Sequence, residues 1–351
     1  FVISNITNSL DQDSPKYQKL SKDGYWKDLY IVLSRLIQAQ VIICPYSRYH
    51  FKESISTPVY DKLKRIYKHL SYGKQLESHN NIFNLQVCNK FEEYISGNTI
   101  NDDIPIIKED YNKWEDRLQI EVDFKLSKED IDVILKENIE MYEGFIEIAE
   151  NNWKFNPKTL EGGYEEEIQN YGPAVVRNYI RQCSEYGETT FIPGSLQLLF
   201  SYLLSITRKY KIPEENQTDM INSFLTSGVM REIPYTYNAC YMFAALRQKV
   251  QSGMKISNIS QGMNTDITAI SSYLPYMDAM FIDNEQANYI QELTKQKKFH
   301  YNCQIFSTRT RVSFLEYLEN IEKSTPRSHF TLVDKIYGTN WTKPYLTILE
   351  K

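Results

Sequence analysis

Apolar side chains recur at helical spacing near the start of the chain, at Trp26, Leu29, Tyr30, Leu33 and Ile37, which predicts a helix. The next apolar run, Val41-Ile42-Ile43, is β-branched and bounded by Pro45. That pattern predicts a buried strand. A helix is expected to follow it, with Ser47 available as cap and Glu53 two turns in. Leu63, Ile66, Tyr67 and Leu70 then mark one face of a helix that ends at Gly73, with Lys62, Lys64, Arg65 and Lys68 largely off that face. Residues 97–112 read as a loop. Ser127 caps a further helix with Asp130 three residues on, and Ile131, Ile134, Leu135, Ile139, Tyr142, Phe145, Ile146 and Ala149 keep its stripe. Gly162-Gly163 reads as a turn and Gly172-Pro173 as a break. Phe191–Tyr210, Asp219–Val229 and Ala239–Gln251 read as helices.

Toward the carboxyl end the pattern changes. Residues 264–284 (NTDITAISSYLPYMDAMFIDN) read as a helix start, a turn at Leu274-Pro275, a short apolar strand and an acid at the strand's exit. Cys303–Phe306 predicts a second short strand, and Phe314, Leu315, Leu318 and Ile321 an amphipathic helix. Helix, strand, helix, strand, helix is the alternation of an α/β parallel sheet covered by helices. In such a sheet Asp266, in a first helical turn, and Asp283, at a strand's carboxyl end, face one edge, where ligands bind. Two converging carboxylates suit Mg²⁺ or Mn²⁺, which take oxygen ligands.

This order of strand, acid and helix resembles the PIN-domain fold, the metal-dependent nuclease domain of many toxin ribonucleases and RNA-processing enzymes. That family has a first strand ending in Asp-Thr-Asn or a near variant, then an apolar helix start to which Phe1-Val2-Ile3-Ser4 is similar. Glu53 matches its second acid, Asp266 its third and Asp283 its fourth. The family's first strand and first acid have no counterpart here. The resemblance implies that Glu53, Asp266 and Asp283 are catalytic metal ligands for Mg²⁺ or Mn²⁺, and that the metal activates a water against a phosphodiester. It also implies a PIN-like α/β unit in two parts, residues 1–57 and 258–323, around a mainly helical insertion over 58–257, with a tail over 324–351.

Each of these residues also has a plainer role. Asp266 is favoured in a first helical turn by the helix dipole alone. Asp283-Asn284 after a strand is ordinary turn chemistry. Glu53 suits a solvated helix face. Arg48, His50, Arg309 and Arg311 are candidates for substrate phosphate, Arg because its fork matches phosphate, against solvated charges and a structural histidine.

Composition narrows the field. At 351 residues with 42% hydrophobic content and only 13 Gly and 12 Pro, the chain is long enough for two or three units with a buried core. A net charge of −5 argues against broad binding to duplex DNA, not against a nuclease whose metal carries the local charge. The 27 Tyr can stack on bases, but accompany the Asn, Ile and Lys of an A/T-rich coding sequence. Cys44, Cys88, Cys183, Cys240 and Cys303 are dispersed without metal-ligand spacing, which suits a reducing cytoplasm. Leu196–Ile206 is too short to span a bilayer, so no membrane is expected. Two functions follow as expectations. One is a metal-dependent endonuclease on RNA or single-stranded nucleic acid. The other is a degenerate PIN-like protein whose helical insertion holds a protein partner or a second copy.

Overall fold

The computed structural model describes residues 2–47, 49, 50, 54, 55, 57–100, 104–108, 128–186, 194–341, 348 and 349. Helix accounts for 71% of the structure and strand for 3%. The expected α/β parallel sheet fold is therefore wrong: the chain is plainly helical, and its described residues carry one two-stranded sheet.

The helices run α1 (Val2–Leu10), α2 (Tyr17–Asp23), α3 (Tyr25–Gln38), α4 (Tyr60–Ser71), α5 (His79–Ser96) and α6 (Lys128–Ile148). They continue as α7 (Leu160–Tyr186), α8 (Ser195–Lys209), α9 (Glu214–Thr226), α10 (Pro234–Gln251) and α11 (Met263–Tyr273). The last third is β1 (Ala279–Phe281), α12 (Asn284–Lys295), β2 (Gln304–Phe306), α13 (Arg311–Ser324) and α14 (Arg327–Tyr337). The amphipathic spacing read at Trp26–Ile37 and Leu63–Leu70 becomes the buried faces of α3 and α4.

The strand expected at Val41–Ile43 does not form, and the reason lies in the end of α3. Gln40 takes a left-handed φ of 58°. The Val41 N–H returns to the Leu36 carbonyl at 2.9 Å and the Gln40 N–H to the Ile37 carbonyl at 2.9 Å, the double closure of a helix C-cap. Such a cap places an apolar residue just past the helix against its last turn, and Val41 and Ile42 pack onto the core that contains Leu36. The β-branched run is the hydrophobic half of a cap. Beyond it Tyr46 makes a single parallel bridge to Gln75.

Gly162-Gly163 and Gly172-Pro173, expected as a turn and a break, lie inside the 27-residue α7. A methyl group on Gly163 would stand 3.2 Å from the Ala244 Cβ, and one on Gly172 only 1.7 Å from the Leu225 carbonyl oxygen. Both glycines let α7 approach a neighbour: α10 at Gly163, the end of α9 at Gly172. Pro173 withholds a donor from the Gln169 carbonyl, and Gln169 is an exposed residue, where water replaces the bond.

Two main cores result. The larger gathers α5 and α7–α12, with Leu199, Leu203, Phe224, Met242, Leu246, Ile267 and Phe299 fully buried or nearly so. Arg247 is sealed within this part at 1% exposure, its Nη2 donating to the Asn156 carbonyl at 2.8 Å and its Nη1 3.3 Å from Glu166. The second core joins both ends of the chain: Ile6, Trp26, Leu29, Tyr30 and Leu36 with Leu318, and with Phe281 and Phe314 against it. Trp26 meets Phe281 edge to face, ring centroids 6.4 Å apart. Residues after 324 include a helix, and His329 Nε2 lies 2.6 Å from the Ala39 carbonyl. Among the described residues no helix is long and apolar enough to cross a membrane.

Candidate functional site

β1, α12 and β2 form a strand–helix–strand unit with the two strands parallel, Ala279 opposite Gln304, Met280 opposite Ile305 and Phe281 opposite Phe306. The Gln304 N–H to Asp278 carbonyl bond at 2.8 Å and the Ile282 N–H to Phe306 carbonyl bond at 2.9 Å carry the ladder past both strand ends. The carboxyl ends of both strands therefore open on one edge, lined by Asp283-Asn284 after β1 and by residues 307–311 after β2.

Asp283 is exposed and extended, and caps α12: its Oδ1 accepts from the Glu285 and Gln286 N–H groups, both at 2.8 Å. This is ordinary N-cap chemistry. Its Oδ2 has no hydrogen-bond partner among the described residues. Asn284, the first residue of α12, turns its side-chain oxygen to the Arg309 N–H at 3.1 Å, which ties the two strand exits together. After β2, the Ser307 N–H donates to Thr310 Oγ1 at 2.9 Å and the Thr310 N–H returns to the Ser307 carbonyl at 3.0 Å.

Asp266 is half-buried in the first turn of α11, as its position in the sequence predicts. Its backbone N–H bonds to the Gly262 carbonyl at 2.8 Å. Its Oδ2 lies 3.7 Å from where a Gly262 Cβ would stand, so the carboxylate folds over the start of the helix. Met263, three residues before it, receives the Gln286 Nε2 on its sulfur at 2.7 Å. Gln286 is fully buried, and its side-chain oxygen has no hydrogen-bond partner among the described residues. The Gln286–Met263 side-chain contact joins the first turn of α11, which carries Asp266, to the first turn of α12, which Asp283 caps.

The other candidates separate. Arg311 is engaged with Asp23: its Nη1 donates to Oδ2 at 2.5 Å and its Nη2 to Oδ1 at 3.0 Å. Its guanidinium lies 5.0 Å from the Tyr25 ring centroid, and the Tyr25 hydroxyl donates to its carbonyl at 2.6 Å. Burial pushes the Tyr25 phenol up to about 12 against the opposing pull of Arg311. Arg309 is exposed, and among the described residues its guanidinium has no hydrogen bond, carboxylate or ring partner. His50 turns Nδ1 to the Ser47 N–H at 3.1 Å, while its own N–H reaches back toward Ser47 Oγ at 3.4 Å. It closes a helix start as a glutamate would in a capping box, which fits the structural alternative. Glu53 and Arg48 lie outside the described residues.

Among the described residues no group of three or more His, Cys, Asp or Glu gathers as a metal site. Sequence reasoning named Asn284 only as turn chemistry and missed its bond to Arg309, and it missed Gln286 and Asp23. Asn284 had a local signal, an amide next to a capping acid. Gln286 and Asp23 had none, since their partners lie 23 and 288 positions away. No protein-family model, curated protein or solved structure matches the chain.

Proposed function

We propose that the edge formed by Asp283, Asn284 and the β2 exit is the site of a divalent-metal-dependent phosphodiesterase acting on RNA or single-stranded nucleic acid. The observation that carries this reading is the Asp283 carboxylate at the strand exit, with Oδ2 open while Oδ1 serves the cap, on a helix start that the Gln286–Met263 contact joins to the helix start bearing Asp266. The proposal rests on this site and not on the overall fold.

Mg²⁺ and Mn²⁺ fit a site of this kind, because one or two carboxylates with water and substrate phosphate suffice to hold them. Asp266 and Asp283 are the residues that would do so, and Glu53 is the third candidate from the sequence. When bound, the ion lowers the pKa of a water and stabilises charge on the transferring phosphoryl group. Asp283 takes part without reorganisation, since two backbone N–H bonds already fix its rotamer.

The test is cleavage of end-labelled single-stranded RNA and DNA with Mn²⁺, with Mn²⁺ plus EDTA, and with the variants Asp283→Asn and Asp266→Asn. Cleavage that needs the metal and both acids supports the reading and identifies the polymer. A folded chain that neither cleaves nor binds Mn²⁺ overturns it. That result would favour the noncatalytic interaction protein.

A further inference from the structure

We propose that Arg309 is the residue through which this site holds a phosphate of its substrate, and that Asn284 positions it; the inference rests on the reading above. Two arginines leave β2 two residues apart, and the structure divides them. Arg311 has a carboxylate on both arms of its fork and an aromatic ring under it, so its charge is already spent within the chain. Arg309 has neither, and its side chain is exposed. Its backbone is the anchored part: the Arg309 N–H donates to the Asn284 side chain at 3.1 Å, and Asn284 directly follows Asp283. The turn after β2 is thus stitched at Arg309 to the first residue of α12, beside the acid that would hold the metal.

A guanidinium mounted on a fixed backbone loses less conformational freedom on binding than one on a mobile loop. Its planar fork matches two phosphate oxygens. The metal-ligating acids and the arginine then take different parts of one phosphodiester: the acids fix the ion, the arginine the non-bridging oxygens. The ligand class is the phosphate backbone, not a base, so Arg309 is expected to raise affinity without sequence preference.

The experiment uses the full chain and a fluorescein-labelled single-stranded oligonucleotide. Anisotropy is followed in EDTA over a series of salt concentrations, and Mn²⁺-dependent cleavage is measured in parallel. Arg309→Ala is expected to weaken binding about 10-fold and to reduce the salt slope by about one, with Arg309→Lys recovering part of the affinity. Asn284→Ala should weaken binding less than Arg309→Ala, and Arg311→Ala should leave it unchanged. Wild-type affinity in Arg309→Ala, or no binding by the wild-type chain, overturns the inference. Arg309-dependent binding without cleavage leaves the phosphate contact standing and removes the nuclease. Metal-dependent cleavage with a KM indifferent to Arg309→Ala does the reverse.

Discussion

The seam between α7 and its neighbours and the edge of the β1–β2 sheet are built from residues that look alike in sequence and act in opposite ways. Both contain small or polar residues of the kind that breaks regular structure: Gly162, Gly163, Gly172 and Pro173 in one, Asp283, Asn284, Ser307 and Thr310 in the other. At the seam the use of Gly163 and Gly172 is the absence of a side chain, which lets α7 press against Ala244 and the Leu225 carbonyl. At the edge their use is the side chain itself, which bonds the backbone groups that β1 and β2 leave behind. A polar residue whose side chain reaches the backbone can end a strand, whereas a glycine continues a helix where a neighbouring helix leaves no room for a Cβ. Stability should accordingly reside at the seam and open chemistry at the edge.

The strongest way to break that comparison is Gly172→Ala. In an isolated helix alanine would stabilise, but here its methyl would fall 1.7 Å from the Leu225 carbonyl oxygen, so α7 and α9 must separate. A loss of about 3 kcal/mol is expected, against about 1 for Gly163→Ala, where the contact is 3.2 Å and lies against a methyl group. Urea unfolding of both variants checks this. A stabilised Gly172→Ala would mean that the close approach contributes nothing.

Acid sharpens the comparison from the second core. His69, on α4, faces α3 with its Nε2 3.0 Å from Ser34 Oγ and its ring 5.6 Å from that of Tyr30, a member of the core on which Phe281 also rests. Burial lowers its pKa from 6.5 to about 4. The unfolded chain then takes up this proton first as pH falls. Stability is whole above pH 6.5 and is lost progressively down to about pH 4. The contribution is at most about 3 kcal/mol, reduced by the partial exposure of the ring. In His69→Gln the slope of unfolding free energy against pH should flatten across that window. An unchanged slope would place the titrating group elsewhere.

How far the sequence revealed these regions depends on how local each cause is. Helical stripes such as Trp26–Ile37 and Leu63–Leu70 were readable because one face meets one core. So were the 266–321 alternation and the positions of Asp266 and Asp283, since strand, turn and cap residues are neighbours in the chain. Val41–Ile43 misled because an apolar run after a helix serves a cap as well as a strand, and only the Gln40 φ distinguishes them. The glycines of α7 misled because the reason for them stands on α9 and α10. Two three-residue strands were then extended to a whole sheet, although the rest of the chain buries itself helix on helix. At the site, the acids could be seen but the division between Arg309 and Arg311 could not, because Asp23 lies 288 positions from its partner.

Smaller effects are expected at the edge, where the side chains serve caps and exposed pairs. Arg311→Ala breaks a two-armed contact to Asp23 in which both side chains are 32% exposed, and about 1 kcal/mol of stability should go with it. Asp283 divides stability from chemistry most finely. Replacing it by Ala removes an acceptor from two N–H groups and should cost about 1 kcal/mol, whereas Asn caps as well as Asp and should cost no more than about 0.5. If the edge is a metal site, Mn²⁺ should raise the Tm of the wild-type chain and leave that of the equally stable Asp283→Asn unmoved. Equal Mn²⁺ shifts in the two proteins would reduce Asp283 to its cap and leave the carboxyl edge without its principal ligand.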